Sequence, residues 1–190
     1  MSEYIESPNT AGVGLMELVR EDLRSHGGDR TLPGYRALRV YRFGVWRMRI
    51  RSKFLRAPFS WLYRRMFVRV RNGYGIELPY SAKVGRRVVI EHQGGIVIHG
   101  DCVIGNECHI RQNCTLGSKT LDRPFDAPTL GDRVNVGAGA VILGNVAIGD
   151  DANIGANAVV LKDVPAGATA VGVPAKIRER SSTKDTKGHE

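Results

Sequence analysis

His92 is the residue in this sequence best suited to take a proton from a neutral hydroxyl, because an ordinary imidazole titrates near pH ~6.5. It is flanked by Glu91 and by Gln93-Gly94-Gly95, and Glu77 lies fifteen residues before it. A base of this kind needs a second group to fix its tautomer, and Glu77 is the carboxylate at hand if the chain coils back between the two. A turn histidine making a structural hydrogen bond is an equally good reading of an isolated imidazole. His99 and His109 point in other directions than His92 if the chain coils, whereas a metal site needs ligands within about 2.1 Å of one ion. No metal centre is expected. The three cysteines, Cys102, Cys108 and Cys114, recur every six residues. They are expected as small buried core residues rather than disulfide partners, ligands or nucleophiles.

The same interval governs the aliphatics that must position these groups. Ile98, Ile104, Ile110 and Leu116, then Leu130, Val136, Ile142, Ile148, Ile154 and Val160, stand six apart. Six fits neither a helical period of 3.6 nor the two-residue alternation of a strand. It is the signature of a hexapeptide-repeat parallel β-helix, in which each hexad forms one face of a coil and like residues stack in ladders. The pattern breaks twice: by a phase slip of two residues across Glu91-His92-Gln93-Gly94-Gly95, and by an insertion at 118–128. A regular coil presents only backbone and solvated side chains, so function is expected at the breaks. Gly137-Ala138-Gly139-Ala140 and Gly155-Ala156-Asn157-Ala158 read as small corners that let a ligand approach the backbone. Lys162, Lys176 and Arg178, at the far end of the coil, are candidates for phosphate contact.

Before the coil, Leu15, Leu18, Val19 and Leu23 predict a short helix, and Pro33-Gly34 a turn. Leu38, Tyr41, Val45 and Met48 predict a second helix, Pro58 an interruption, and Trp61, Leu62, Met66 and Val70 a third. The expected organisation is a flexible lead-in at 1–13, a basic α-helical region at 14–75, the β-helix at 76–177 with its loop at 118–128, and a disordered tail at 178–190. The net charge is +9, and no acidic residue occurs between Thr31 and Ile76. That segment must face something anionic or pack against acidic surfaces within an assembly. An anionic membrane surface against residues 36–71 is one expected partner, while nucleic acid is disfavoured. No apolar run approaches the roughly 18 residues of a membrane span, and Met1-Ser2-Glu3-Tyr4 does not open a signal peptide. The expected compartment is the cytoplasm, with peripheral contact at the inner membrane face as an option.

Several stretches together resemble the serine acetyltransferase branch of the hexapeptide acyltransferases, over roughly residues 15–178. They are Pro33-Gly34-Tyr35-Arg36-Ala37-Leu38-Arg39-Val40-Tyr41-Arg42, Ala82-Lys83-Val84-Gly85 leading to Glu91-His92, Val159-Val160-Leu161-Lys162-Asp163-Val164-Pro165, and Gly172-Val173-Pro174-Ala175-Lys176-Ile177. The resemblance implies a mainly β fold, a left-handed parallel β-helix, against the usual right-handed crossover. It implies a homotrimer with active sites between adjacent subunits and acetyl-CoA, the co-substrate, laid along the coils. It places His92 on the family's catalytic base and Glu77 on the partner carboxylate, which is usually aspartate. It also places an oxyanion donor near Gly117-Ser118, the pantetheine arm against Ala138 and Ala156, and phosphates near Lys176 and Arg178.

The departures set the expected acceptor. The family's loop ends in an Arg-His pair before a proline, which holds serine; here the loop ends Asp126-Ala127-Pro128. A serine carboxylate would lose its cation and meet a like charge. The helical region is also shorter, and the chain ends Lys187-Gly188-His189-Glu190 rather than in isoleucine. The expectation is therefore an acetyl-CoA-dependent O-acetyltransferase acting on a saccharide hydroxyl of a surface polysaccharide or its precursor, with Glu91, Asp126 and Ala127 at the acceptor. The alternatives are serine O-acetylation for cysteine biosynthesis and a non-catalytic trimeric module that binds nucleic acid or membrane.

Overall fold

A computed structural model describes residues 10–179. Most of the expected lead-in and tail lies outside these residues. Three helices come first: α1 (Leu15–Ser25), α2 (Pro33–Trp46) with a 3-10 turn at Arg47–Arg49, and α3 (Lys53–Tyr74). Pro33, expected in a turn, is instead the first residue of α2, where its missing N–H costs nothing. Pro58 does not interrupt α3, which runs through it. Both Pro58 and Phe54, whose carbonyl loses its helical donor, are exposed, so water can satisfy that carbonyl. Gly75 ends α3 in the left-handed region at φ 65, a conformation glycine adopts without strain.

A left-handed parallel β-helix follows, and it makes the protein mainly β with an N-terminal helical region. The first coil is β1 (Ile76–Glu77), β2 (Lys83–Val84) and β3 (Val89–Ile90); the second is β4 (Ile96–Ile98), β5 (Val103–Ile104) and β6 (His109–Ile110). The third is β7 (Thr115–Gly117), β8 (Thr129–Leu130) and β9 (Asn135–Val136), and the fourth β10 (Val141–Leu143), β11 (Ala147–Ile148) and β12 (Asn153–Ile154). The fifth holds β13 (Val159–Val160) and β14 (Thr169–Val171), which β15 (Lys176–Arg178) covers antiparallel. Arg178, expected to begin the tail, is therefore the last residue of a strand. In-register pairing sets Ile98 over Leu116, Ile104 over Leu130 and Ile110 over Val136. These residues and the three cysteines are all but inaccessible to solvent.

The first coil leaves an open edge, because one side of its backbone has no coil beneath it. Unpaired N–H and C=O groups there would be costly if buried. The helices cap them with side chains. Tyr41 Oη donates to Ala82 O at 2.9 Å and accepts from Val84 N at 3.0 Å. Arg42 donates to Val84 O at 3.1 Å and Gly85 O at 2.6 Å. Tyr80 N–H donates to Tyr63 Oη, and Ile90 N–H to His26 Nε2 at 3.3 Å. Burial pulls the Arg42 pKa down, but the bidentate pair with Asp22, at 2.9 and 3.1 Å, outweighs this and leaves it raised. Arg47, also buried, lies over the rings of Tyr63 and Tyr80 at 4.6 and 4.3 Å.

Replacing Arg42→Met would leave Asp22 charged and buried, with two carbonyls unsatisfied. Urea denaturation should show a loss of about 3–5 kcal/mol, whereas a change under 1 kcal/mol would mean the pair is not what fastens the helices.

Candidate active site

The phase slip has a definite geometry. Between β3 and β4 the corner is two residues longer than between β6 and β7, since Ile90 pairs with Ile110 while Asn113 N–H donates to Gly94 O. His92 falls within that excess. Its φ of 66 is uncommon outside glycine and asparagine, and its side chain is exposed. A groove of about 650 Å³ opens beside it, walled by Glu91, Gln93, Leu32, Pro33 and Gly34. The opposite wall stands close because Gly34 touches the coil: a Cβ on it would meet Ile90 O at 2.0 Å. Behind this wall His26 accepts the Ile90 N–H through Nε2, so Nδ1 carries the proton that it donates to Asp22 O at 2.7 Å.

Glu77 stands on β1, paired with Val97 of the coil above, and makes no hydrogen bond to His92 among the described residues. Glu91 is not a free carboxylate. It meets Arg111 Nε at 2.9 Å and His109 Nδ1 at 3.4 Å, and Arg111 also donates to Asn135 Oδ1 at 2.7 Å. Arg111 went unremarked in the sequence; its place one coil above Glu91, twenty residues on, was the available signal. His99 sits apart with Asp101 at 3.5 Å. Among the described residues no group of three or more histidine, cysteine or acidic side chains is arranged to hold a metal.

Above the slip the same corner continues as a stack. Gly139 N–H donates to Gln112 O and Asn157 N–H to Ala138 O, which sets Gly94, Gln112, Ala138 and Ala156 one over another. The Oε1 of Gln112 is buried without a partner among the described residues, a second feature the sequence did not reveal. Gly117 pairs with Leu143 in the ladder, and Ser118 is the first residue past it. The N–H of Ser118 has no backbone acceptor among the described residues. Lys162 follows β13, whereas Lys176 and Arg178 lie on β15, so the three share one end of the coil but not one face.

The inserted loop departs from expectation. Ala127 is only 7 % exposed and packs in the core, so it cannot line an acceptor pocket. Asp126 turns toward Arg123 at 3.9 Å. The exposed apolar residues of the loop are Leu121 and Phe125.

The family model described as bacterial transferase hexapeptide (six repeats) matches residues 127–162. A serine acetyltransferase from Synechococcus elongatus is 36% identical over 152 residues, 80% of this chain and 59% of that protein. The crystal structure of the Neisseria gonorrhoeae serine acetyltransferase matches with a TM-score of 0.74 and 31% identity, covering 90% of this chain and 69% of that one. A solved serine acetyltransferase in complex with CoA matches at a TM-score of 0.71 and 28% identity, covering 89% and 72%. The chain belongs to the hexapeptide-repeat acyltransferases. Within them, its similarity is to the serine acetyltransferases. It spans just over half the length of the curated relatives it matches. These relatives are named for serine, and that overturns the expectation of a saccharide acceptor. The physical basis of that expectation fails as well, because Ala127 is buried and Asp126 faces an arginine.

The cysteines are not part of this site. Burial pushes the Cys102 thiol up to about 12 and Cys108 to about 11, and it raises Cys114. All three remain protonated thiols at pH 8, so a disulfide reagent should label none in the folded protein and three after denaturation. Rapid native labelling would show that the inner ladder opens.

Proposed function

We propose that the chain transfers an acetyl group from acetyl-CoA to the side-chain hydroxyl of L-serine, with His92 as general base. The observation that carries this reading is the exposed His92, held in a two-residue excess at one coil corner, beside a groove and at the foot of the stack of Gly94, Gln112, Ala138 and Ala156. His92 would take the hydroxyl proton as the serine oxygen attacks the thioester carbonyl. It would then return that proton to the departing sulfur, so no acyl-enzyme forms. For the oxygen that becomes negative we propose the Ser118 N–H, brought to His92 from a neighbouring subunit, because within one chain the two stand at opposite ends of a coil face.

The corner residues suit the co-substrate. Ala138 and Ala156 leave the backbone open to a thin chain, and the unpaired Gln112 Oε1 can accept an N–H from one of the pantetheine amides. Lys162, Lys176 and Arg178 supply positive charge at the far end for phosphates. A serine zwitterion suits the other side of His92. Glu91 would receive its ammonium and Arg111 its carboxylate, in place of the Arg-His pair that the loop lacks.

Glu77 remains the proposed orienting carboxylate. Because it does not bond His92 within one chain, we assign the completed site to the junction of neighbouring subunits in a homotrimer. The exposed Leu121 and Phe125 of the loop are available for that contact.

Release of free thiol from acetyl-CoA by the purified protein should rise when L-serine is added. His92→Ala should lower that rate by about 10²–10⁴-fold while leaving CoA affinity within about two-fold. Serine-dependent turnover that survives the substitution would remove His92 from the role.

A further inference from the structure

The helical region carries a second surface that the capping of the coil does not use. Only Tyr63 and Val70 of α3 are buried; its opposite side faces solvent. Along that side Phe54, Trp61 and Val68 recur every seven residues, which keeps them on one stripe of a helix. Phe54 is 93 % exposed and Trp61 63 %. Arg64, Arg65 and Arg69 border the stripe, and Arg65 lies over the Trp61 ring at 5.0 Å. A groove of about 940 Å³ runs along Trp61, Val68 and these three arginines. Two aromatic side chains so exposed on one helix face, with the half-buried Val68 in line with them, mark a contact surface.

Charge selects the occupant. No carboxylate among the described residues pairs with a basic residue of α3. The chain carries a net charge of +9, so a second copy would bring net positive charge, not negative, to the stripe. A surface that is both anionic and able to take up aromatic side chains fits it.

We propose that the outer face of α3 docks in the plane of an anionic lipid bilayer, with Phe54, Trp61 and Val68 entering the headgroup boundary and the arginines meeting lipid phosphates. This is independent of the acetyl-transfer reading, since no α3 residue belongs to that site. No helix among the described residues is long and apolar enough to cross a membrane, so α3 would lie on the surface rather than span it.

The test is cosedimentation of the full chain with sucrose-loaded vesicles at about 0.1 M salt, a Debye length near 10 Å. Vesicles of phosphatidylcholine with one-third phosphatidylglycerol should bind the protein, and pure phosphatidylcholine should bind it at least ten-fold less. The pair Phe54→Ala/Trp61→Ala should lower partition by about ten-fold. The triple change Arg64→Glu/Arg65→Glu/Arg69→Glu should lower it by about a hundred-fold. Both variants should keep the thermal midpoint of the wild type, because these side chains lie outside the core. Absence of binding, or equal binding to both vesicles, would overturn the proposal. So would a Phe54/Trp61 variant whose sedimentation coefficient falls without lipid, which would give the stripe to a second copy. Displacement from vesicles by random oligonucleotide with no loss in the Phe54/Trp61 variant would give it to nucleic acid instead.

Discussion

A stacked coil must close its first edge, and in this protein the helices do so with side chains. Tyr41 and Arg42 satisfy the downward-facing groups of Ala82, Val84 and Gly85, Tyr63 takes the N–H of Tyr80, and His26 takes that of Ile90. Each would otherwise be a buried backbone group without a partner, and such groups cost about 1–3 kcal/mol apiece. The edge therefore specifies where α1 and α2 sit. Asp22 then holds Arg42 from the other side, which links α1, α2 and the coil through one guanidinium.

The candidate site inherits its shape from that closure. Gly34 approaches Ile90 so closely that no side chain fits between them, and the wall it forms faces His92 across the groove. The coil contributes the remainder. Two extra residues at one corner lift His92 out of the stack, and the small Ala138 and Ala156 keep the upper corners low. The regular part of the fold provides the stack, and the irregular part sets an exposed imidazole at its foot.

The coil was legible in the sequence because its constraint is local and repeated: every sixth residue fills the same narrow interior, so only branched aliphatics and small residues recur there. The phase slip at His92 and the loop at 118–128 were legible as departures from it. The capping was not, because it depends on contacts about forty residues apart, as between Arg42 and Gly85. Arg42 and Arg47 read only as members of a basic segment facing an anionic partner or an acidic surface of the assembly, whereas both are buried within the chain. The loop misled for a related reason. Comparing Asp126-Ala127 with a binding pair assumes that both side chains face outward, and Ala127 turns in. Arg111 was missed because its one signal, a spacing of one twenty-residue coil from Glu91, does not show that the two side chains meet.

The central claim is that the two-residue excess makes His92, and not its neighbours His99 and His109, the imidazole that meets the acceptor. Histidine-selective NMR on the full chain tests it most directly, with L-serine and CoA added in turn and His92→Gln used to assign the signal. The ring resonances of His92 should shift on addition of serine while those of His99 stay within line width. A shift confined to His99, with His92 unmoved, would contradict it.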